Sequence, residues 1–178
     1  MNEKIISSRY AKAIYSMAEE KQHVEAILND FKLILKTIKD SRELYNLIES
    51  PVVAGDKKLA ILKEVFDDSL NDIMVSFLKL LTDKSRTYLV DSIANEYELV
   101  YNSRNNIDPV LIETAIELDE DAKNQLVEML ASWTKSTIQA EYKVNPDLKG
   151  GLKVNIKGWV FDATIKNQLE KLRKTLAG

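Results

Sequence analysis

The sequence predicts an α+β protein, with an N-terminal six-helix bundle followed by a small C-terminal α/β unit of short strands and a terminal helix. Three observations predict it. Over residues 4–104, apolar side chains recur at three- and four-residue spacing, helix after helix. Beyond residue 109 the period becomes two, the signature of half-buried strands. Between these regions lies Asn-Ser-Arg-Asn-Asn-Ile-Asp-Pro, residues 102–109, polar and rich in turn formers. The predicted domains are therefore 1–104 and 105–178.

In the first helix Ile6, Tyr10, Ala13, Ile14 and Met17 form the apolar stripe, with Ser7 or Ser8 as possible caps. The second carries Val24, Ile27, Leu28, Phe31, Ile34, Leu35 and Ile38 on one face. Asp40 or Ser41 restarts a short helix that ends before Ser50-Pro51, because proline disfavours helical geometry in the residue before it. Gly55-Asp56 opens a fourth helix to about Phe66, and Leu70, Ile73, Met74, Phe77, Leu78 and Leu81 mark a fifth. A sixth runs from about Arg86 to Arg104, with Val90, Ile93, Ala94, Tyr97 and Tyr101 apolar. Short polar turns between them suit an antiparallel bundle.

In the second region residues 110–117 read as a strand with Glu113 and Glu117 outward, and Asp119 caps a helix whose apolar side holds Ala122, Leu126, Met129, Leu130 and Trp133. Ile138, Ala140, Tyr142 and Val144 alternate with polar residues, as do Leu152, Val154 and Ile156, giving two strands. Gly158 turns into a third, Trp159 to Phe161. Thr164 then caps a helix bearing Ile165, Leu169, Leu172 and Leu176.

Composition narrows the chemistry. A net charge of −3 argues against nucleic acid as the main partner, which would need a basic footprint. Cysteine is absent and His23 is the single histidine, so no thiol nucleophile, histidine cluster or zinc site is offered. No targeting segment or transmembrane run is visible, so the chain is expected to be soluble and intracellular and to meet a membrane only through a partner. Lys149-Gly150-Gly151 leads into a strand rather than a helix, which favours a tight turn over a phosphate cradle. Asp67-Asp68 and Asp119-Glu120-Asp121 sit at helix ends, where they favour the helix dipole. His23 reads as a surface residue, Trp133 and Trp159 as core anchors. No catalytic residue, metal ligand or cofactor is assigned.

One feature points to binding. Val75 and Leu80 lie off the stripe of the fifth helix, and Ile5, Ala11, Tyr15 and Ala18 lie beside that of the first. A helix apolar over much of its circumference is either central or offers a groove to another helix. Small residues such as Ala11 and Ala13 let a guest approach closely.

Three segments carry a family resemblance over essentially the whole length. They are Arg9-Tyr10-Ala11-Lys12-Ala13-Ile14, then Lys84-Ser85-Arg86 with Leu89 and Ile93, and finally Pro146, Gly150-Gly151, Val154, Ile156, Asp162, Ile165 and leucines 169, 172 and 176. In order and spacing the chain resembles the δ-subunit family of bacterial F-type ATP synthases, equivalent to the mitochondrial oligomycin-sensitivity-conferring protein. Lys149, Trp159 and Thr164 depart from the family pattern without removing an element.

The resemblance implies a non-catalytic stator subunit at the cytoplasmic face of the bacterial plasma membrane, joining the α3β3 head to the peripheral stalk. By the same resemblance the bundle takes the N-terminal helix of an α subunit between its first and fifth helices. For that groove the candidates are Tyr10, Ala13, Ile14, Met17, Ile73, Phe77, Leu78 and Leu81. The C-terminal unit meets the b subunits, with Leu169, Leu172 and Leu176 as candidates. Two rivals are a free-standing adaptor for other amphipathic helices and an enzyme with a site between the regions.

Overall fold

The computed structural model describes residues 3–50, 52–66 and 69–177, with the side chains of 171, 172 and 174–177 left aside. Eight α-helices and one four-stranded sheet among these residues make an α+β fold. The chain divides into two compact units, Met1–Tyr101 and Asn102–Gly178.

In the first unit, α1 (Glu3–Glu20), α2 (Val24–Asp40), α3 (Arg42–Glu49), α4 (Gly55–Phe66) and α5 (Asp72–Asp83) are followed by a 3-10 turn, Thr87–Leu89, and α6 (Val90–Arg104). Local chemistry sets several of the helix starts. Ser41 Oγ accepts from Leu44 N–H at 3.2 Å and caps α3, and the Asn71 side chain accepts from Ile73 N–H at 3.0 Å and caps α5. One core gathers Phe31, Ile34, Leu62, Met74, Leu81, Ile93 and Tyr97. Phe31 and Tyr97 stack at 5.1 Å inside it, and Tyr97 Oη donates to Val24 O.

The first helix corrects the sequence reading. Its buried residues are Ser7, Ala11, Ile14, Tyr15 and Ala18, while Ala13 and Met17 are exposed and Ile6 and Tyr10 half-buried. Of the expected stripe only Ile14 is buried; Tyr15 and the small Ser7, Ala11 and Ala18 beside it turn inward, and the small ones let α1 approach its neighbours closely. Ser7 and Ser8 lie inside α1 rather than at its cap. Asp67 and Asp68 lie outside the described residues.

The second unit is built on β1 (Ile107–Thr114), α7 (Glu120–Thr134), β2 (Thr137–Val144), a 3-10 turn at Pro146–Leu148, β3 (Leu152–Ile156), β4 (Trp159–Asp162) and α8 (Ile165–Ala177). Strand order is β2-β1-β3-β4. β1 pairs parallel with β2 across α7 and antiparallel with β3, which forms a hairpin with β4. Val110, Ile112, Val154 and Ile156 form the core, covered by Leu126 and Leu130 of α7. Asp119 caps α7, its carboxylate accepting from Ala122 N–H at 2.8 Å, and the Thr164 hydroxyl accepts from Asn167 N–H at 3.2 Å in the first turn of α8.

Two expectations shift. β1 starts at Ile107 rather than residue 110, so with α6 ending at Arg104 as expected only Asn105 and Asn106 connect them. Asn106 takes a left-handed φ of 53°, which asparagine tolerates. The pairing with β3 begins only at Val110, so Pro109 falls outside it, where a residue without N–H is accommodated. Glu117 lies beyond the strand, while Glu113 does face away from the Val110–Ile112 core, on the outer side of the sheet. It accepts from Asn145 Nδ2 at 3.2 Å and meets Lys153 Nζ at 3.5 Å.

Candidate functional site

The first candidate surface is a groove of about 410 Å3 between α1 and α5. Ile6, Tyr10, Ala13, Ile14 and Met17 line one side, and Ile73, Ser76, Phe77 and Leu80 the other. The helical period explains this wall: positions 73, 76, 77 and 80 fall on one face of α5. Ile14 and Ile73 are buried and form the floor, while Met17 and Leu80 are half-exposed and form opposite rims. Tyr10 packs edge-on against Phe77 at 6.1 Å, and Phe77 backs onto Phe31 of the core at 6.2 Å. The groove wall is therefore continuous with the core and cannot collapse without disturbing it.

Arg9 and Arg86 also line the groove, where α1 begins and α5 has ended. Arg86 Nη1 donates to Tyr10 Oη at 2.8 Å, with the guanidinium carbon 5.7 Å from the ring centre.

Of the eight groove residues expected from the sequence, the structure brings six to this surface: Tyr10, Ala13, Ile14, Met17, Ile73 and Phe77. Leu78 and Leu81 do not line it. Both are buried in the core. Leu80 stands in their place. Its position off the main stripe is the signal in the sequence, whereas the longer apolar series that holds Leu78 and Leu81 points into the core.

A second apolar surface lies on the second unit. α7 covers only part of its sheet face, leaving an open slot of about 800 Å3 lined by Met129, Leu130, Trp133, Val154, Ile156, Trp159 and Phe161. Trp133 is 71% exposed, Trp159 77% and Phe161 65%. The two tryptophans are thus not core anchors. Trp159 and Phe161 pair across the hairpin with Ile156 and Val154, so their side chains continue the core face past the edge of α7. Leu169 is half-exposed on α8, whereas the side chains of Leu172 and Leu176 lie outside the described residues.

The buried titratable groups are tied into structural bonds. Burial pushes the Asp30 carboxyl up, although it accepts from Asn71 N–H at 2.9 Å. Burial pushes Lys58 down; its ammonium donates to Ile48 O at 2.8 Å and Thr87 Oγ1 at 3.0 Å. Burial would raise Asp108, but the Ser136 hydroxyl and the Lys157 ammonium, 2.9 Å away, prevail and hold it below the usual carboxylate range. Lys149, Gly150 and Gly151 form a left-handed turn into β3, and His23 is exposed. Among the described residues no group of His, Cys, Asp or Glu has a metal-holding arrangement, and no helix is long and apolar enough to cross a membrane.

Two units, each with an open apolar surface, are the arrangement of a protein that docks partners. Residues 6–176 match the family model described as the ATP synthase delta (OSCP) subunit. The chain is 34% identical over 176 residues to ATP synthase subunit delta of Pelodictyon phaeoclathratiforme, covering 99% of each chain. It is 36% identical to that of Chlorobium phaeobacteroides, covering 99% of this chain and 97% of the relative. Its fold resembles a chain in the cryo-EM structure of the Toxoplasma gondii mitochondrial ATP synthase hexamer, with a TM-score of 0.74, 17% identity and 97% of each chain covered. The chain belongs to the ATP synthase delta (OSCP) subunit family.

Proposed function

We propose that this protein is the stator link of an F-type ATP synthase, holding the catalytic head to the peripheral stalk without taking part in chemistry. On this reading the helical unit, a six-helix bundle, receives the N-terminal helix of an α subunit in the α1–α5 groove. The second unit receives the b subunits on the Trp133–Trp159–Phe161 slot and on α8 around Leu169, Leu172 and Leu176. The complex lies at the cytoplasmic face of a bacterial plasma membrane, which the chain meets only through its partners.

The observation that carries the reading is the groove itself, in a chain that matches its family from residue 6 to 176. A stator contact must resist torque without chemistry. Helix-in-groove docking meets that demand, since anchors at i, i+3, i+4 and i+7 bury a continuous strip. Ile6 to Met17 spans about 16 Å at 1.5 Å per residue, room for roughly three turns of guest.

Co-purification of the tagged protein with the α and b subunits of its own organism tests this. Ala13→Asp places a carboxylate on the groove surface, where Ala13 is exposed in the free protein. The expected result is loss of α with b retained and an almost unchanged melt. Trp159→Ser is expected to do the reverse. Retention of α by a folded Ala13→Asp variant would overturn the groove assignment.

A further inference from the structure

The α1–α5 groove is charged at one end only. Its lining includes two guanidinium groups, Arg9 and Arg86, and no carboxylate. Among the described residues neither arginine forms an ion pair. Arg86 uses one Nη1 hydrogen on Tyr10 Oη and lies across the ring, which holds the guanidinium in place at the groove and leaves its other N–H groups without a protein partner among the described residues. A guest that is apolar or basic along its whole length would desolvate these cations without a partner.

Resting on the reading of the groove above, we infer that its occupant is an amphipathic helix of about three turns whose apolar stripe ends in a carboxylate side chain, and that Arg86, with Arg9, selects this helix and sets its direction. The apolar strip alone cannot do either. Ile6, Ala13, Met17, Ile73, Phe77 and Leu80 would accept anchors from a helix running either way along α1. A cationic pair toward one end breaks that symmetry, because the reversed guest leaves its carboxylate over Met17 and Ile73 and the arginines unpaired. The planar fork of Arg86 suits a bidentate carboxylate, and its hydrogen bond to Tyr10 reduces the rotamer freedom lost on binding.

Synthetic helical peptides test the inference. One carries the apolar stripe with Glu at one terminus, a second has Gln there, and a third has the Glu at the opposite terminus. Affinities are read by fluorescence anisotropy at low salt and at about 0.5 M salt, where exposed charge pairs are screened. The better-placed Glu peptide should bind the full-length protein about five- to tenfold more tightly than either of the others at low salt. That advantage should disappear at high salt and on the Arg9→Gln and Arg86→Gln proteins. Among the described residues Arg9 makes no side-chain hydrogen bond or ion pair that a substitution would break, so Arg9→Gln decides the matter even if Arg86→Gln lowers the melting temperature. Equal binding of all three peptides, abolished by Ala13→Asp, would overturn the acidic requirement and leave the groove standing. If no peptide binds, and Ala13→Asp retains the α subunit, the groove reading itself fails.

Discussion

Gly151→Ala is the most severe single-atom test of how the second unit is held together. Gly151 follows the 3-10 turn at Pro146–Leu148 and has φ of +75°. A Cβ there would lie 2.3 Å from the Ala163 carbonyl oxygen and 3.1 Å from both Ala163 C and Thr164 Cα, all backbone atoms. This is where the chain leaves β4 for α8. Ala163 N–H donates to Leu152 O and Ile165 N–H to Gly150 O, both at 3.0 Å, so any shift breaks bonds on both sides. The left-handed conformation costs alanine about 1–2 kcal/mol, and forcing backbone apart adds roughly 1–3 kcal/mol. A loss of about 2–5 kcal/mol is set against the ~4–11 kcal/mol that a unit of about 75 residues holds. Gly158→Ala is the control: φ is +81°, but nothing lies within 4 Å, so only the conformational cost remains. Hydrogen exchange of amides in β1 and β3, read by mass spectrometry across a urea series, isolates the second unit from the helical one. Gly151→Ala should lower the opening free energy of these amides by at least 1 kcal/mol more than Gly158→Ala. Equal effects would refute the claim that close packing, rather than φ alone, demands glycine.

Asp30→Asn should leave the helical unit as stable or more stable at neutral pH, since the amide oxygen still accepts from Asn71 N–H and no charge is buried. Because the native Asp30 carboxyl is raised above 3.8, its contribution is fully present below that value and lost as pH rises through the native pKa. The advantage of the asparagine variant in urea melts should therefore shrink as pH falls toward 4, while Asp30→Ala should cost about 1–2 kcal/mol throughout by orphaning the amide. Asp108 has the opposite sign: its carboxyl is depressed, so its stabilisation is present above 3.8 and lost as pH falls through the native value. Lys157→Gln should move the acid transition of the second unit to higher pH, by a modest amount because Lys157 is largely exposed. Acid titrations of the same exchange signals measure it.

Most of the fold was legible because period and punctuation agree. α4 begins at Gly55 and ends at Phe66, α3 is capped by Ser41, and Ile138, Ala140 and Tyr142 share the half-buried face of β2, all as the pattern reads. Which apolar face of a helix turns inward was less legible. α1 is apolar on two adjacent faces, and periodicity cannot rank them. Close helix packing placed Ser7, Ala11 and Ala18 inside and left Ala13 and Met17 on the surface. The same ambiguity moved Leu78 and Leu81 inward and Leu80 outward. The exposure of Trp133 and Trp159 is hidden from the sequence for another reason. Size favours burial on average, but nothing in the pattern of residues 159–162 tells that α7 stops short of the hairpin.

The separation of two such surfaces on two units has an energetic logic on the proposed function. A guest of three turns offers the groove about three or four apolar anchors, at roughly 1.5–3 kcal/mol each. Association costs on the order of 4–15 kcal/mol must be subtracted. What remains is a modest affinity, too weak alone to hold a head against a turning rotor. Joining the groove to a second docking surface through the chain converts the other contact into an intramolecular event. Avidity then exceeds either affinity by about 10²–10⁴-fold without any new contact. The exposed Trp133, Trp159 and Phe161 are the counterpart that this arithmetic requires. Left uncovered, this open slot of about 800 Å3 exposes three large aromatics to water, and their value lies in the second attachment.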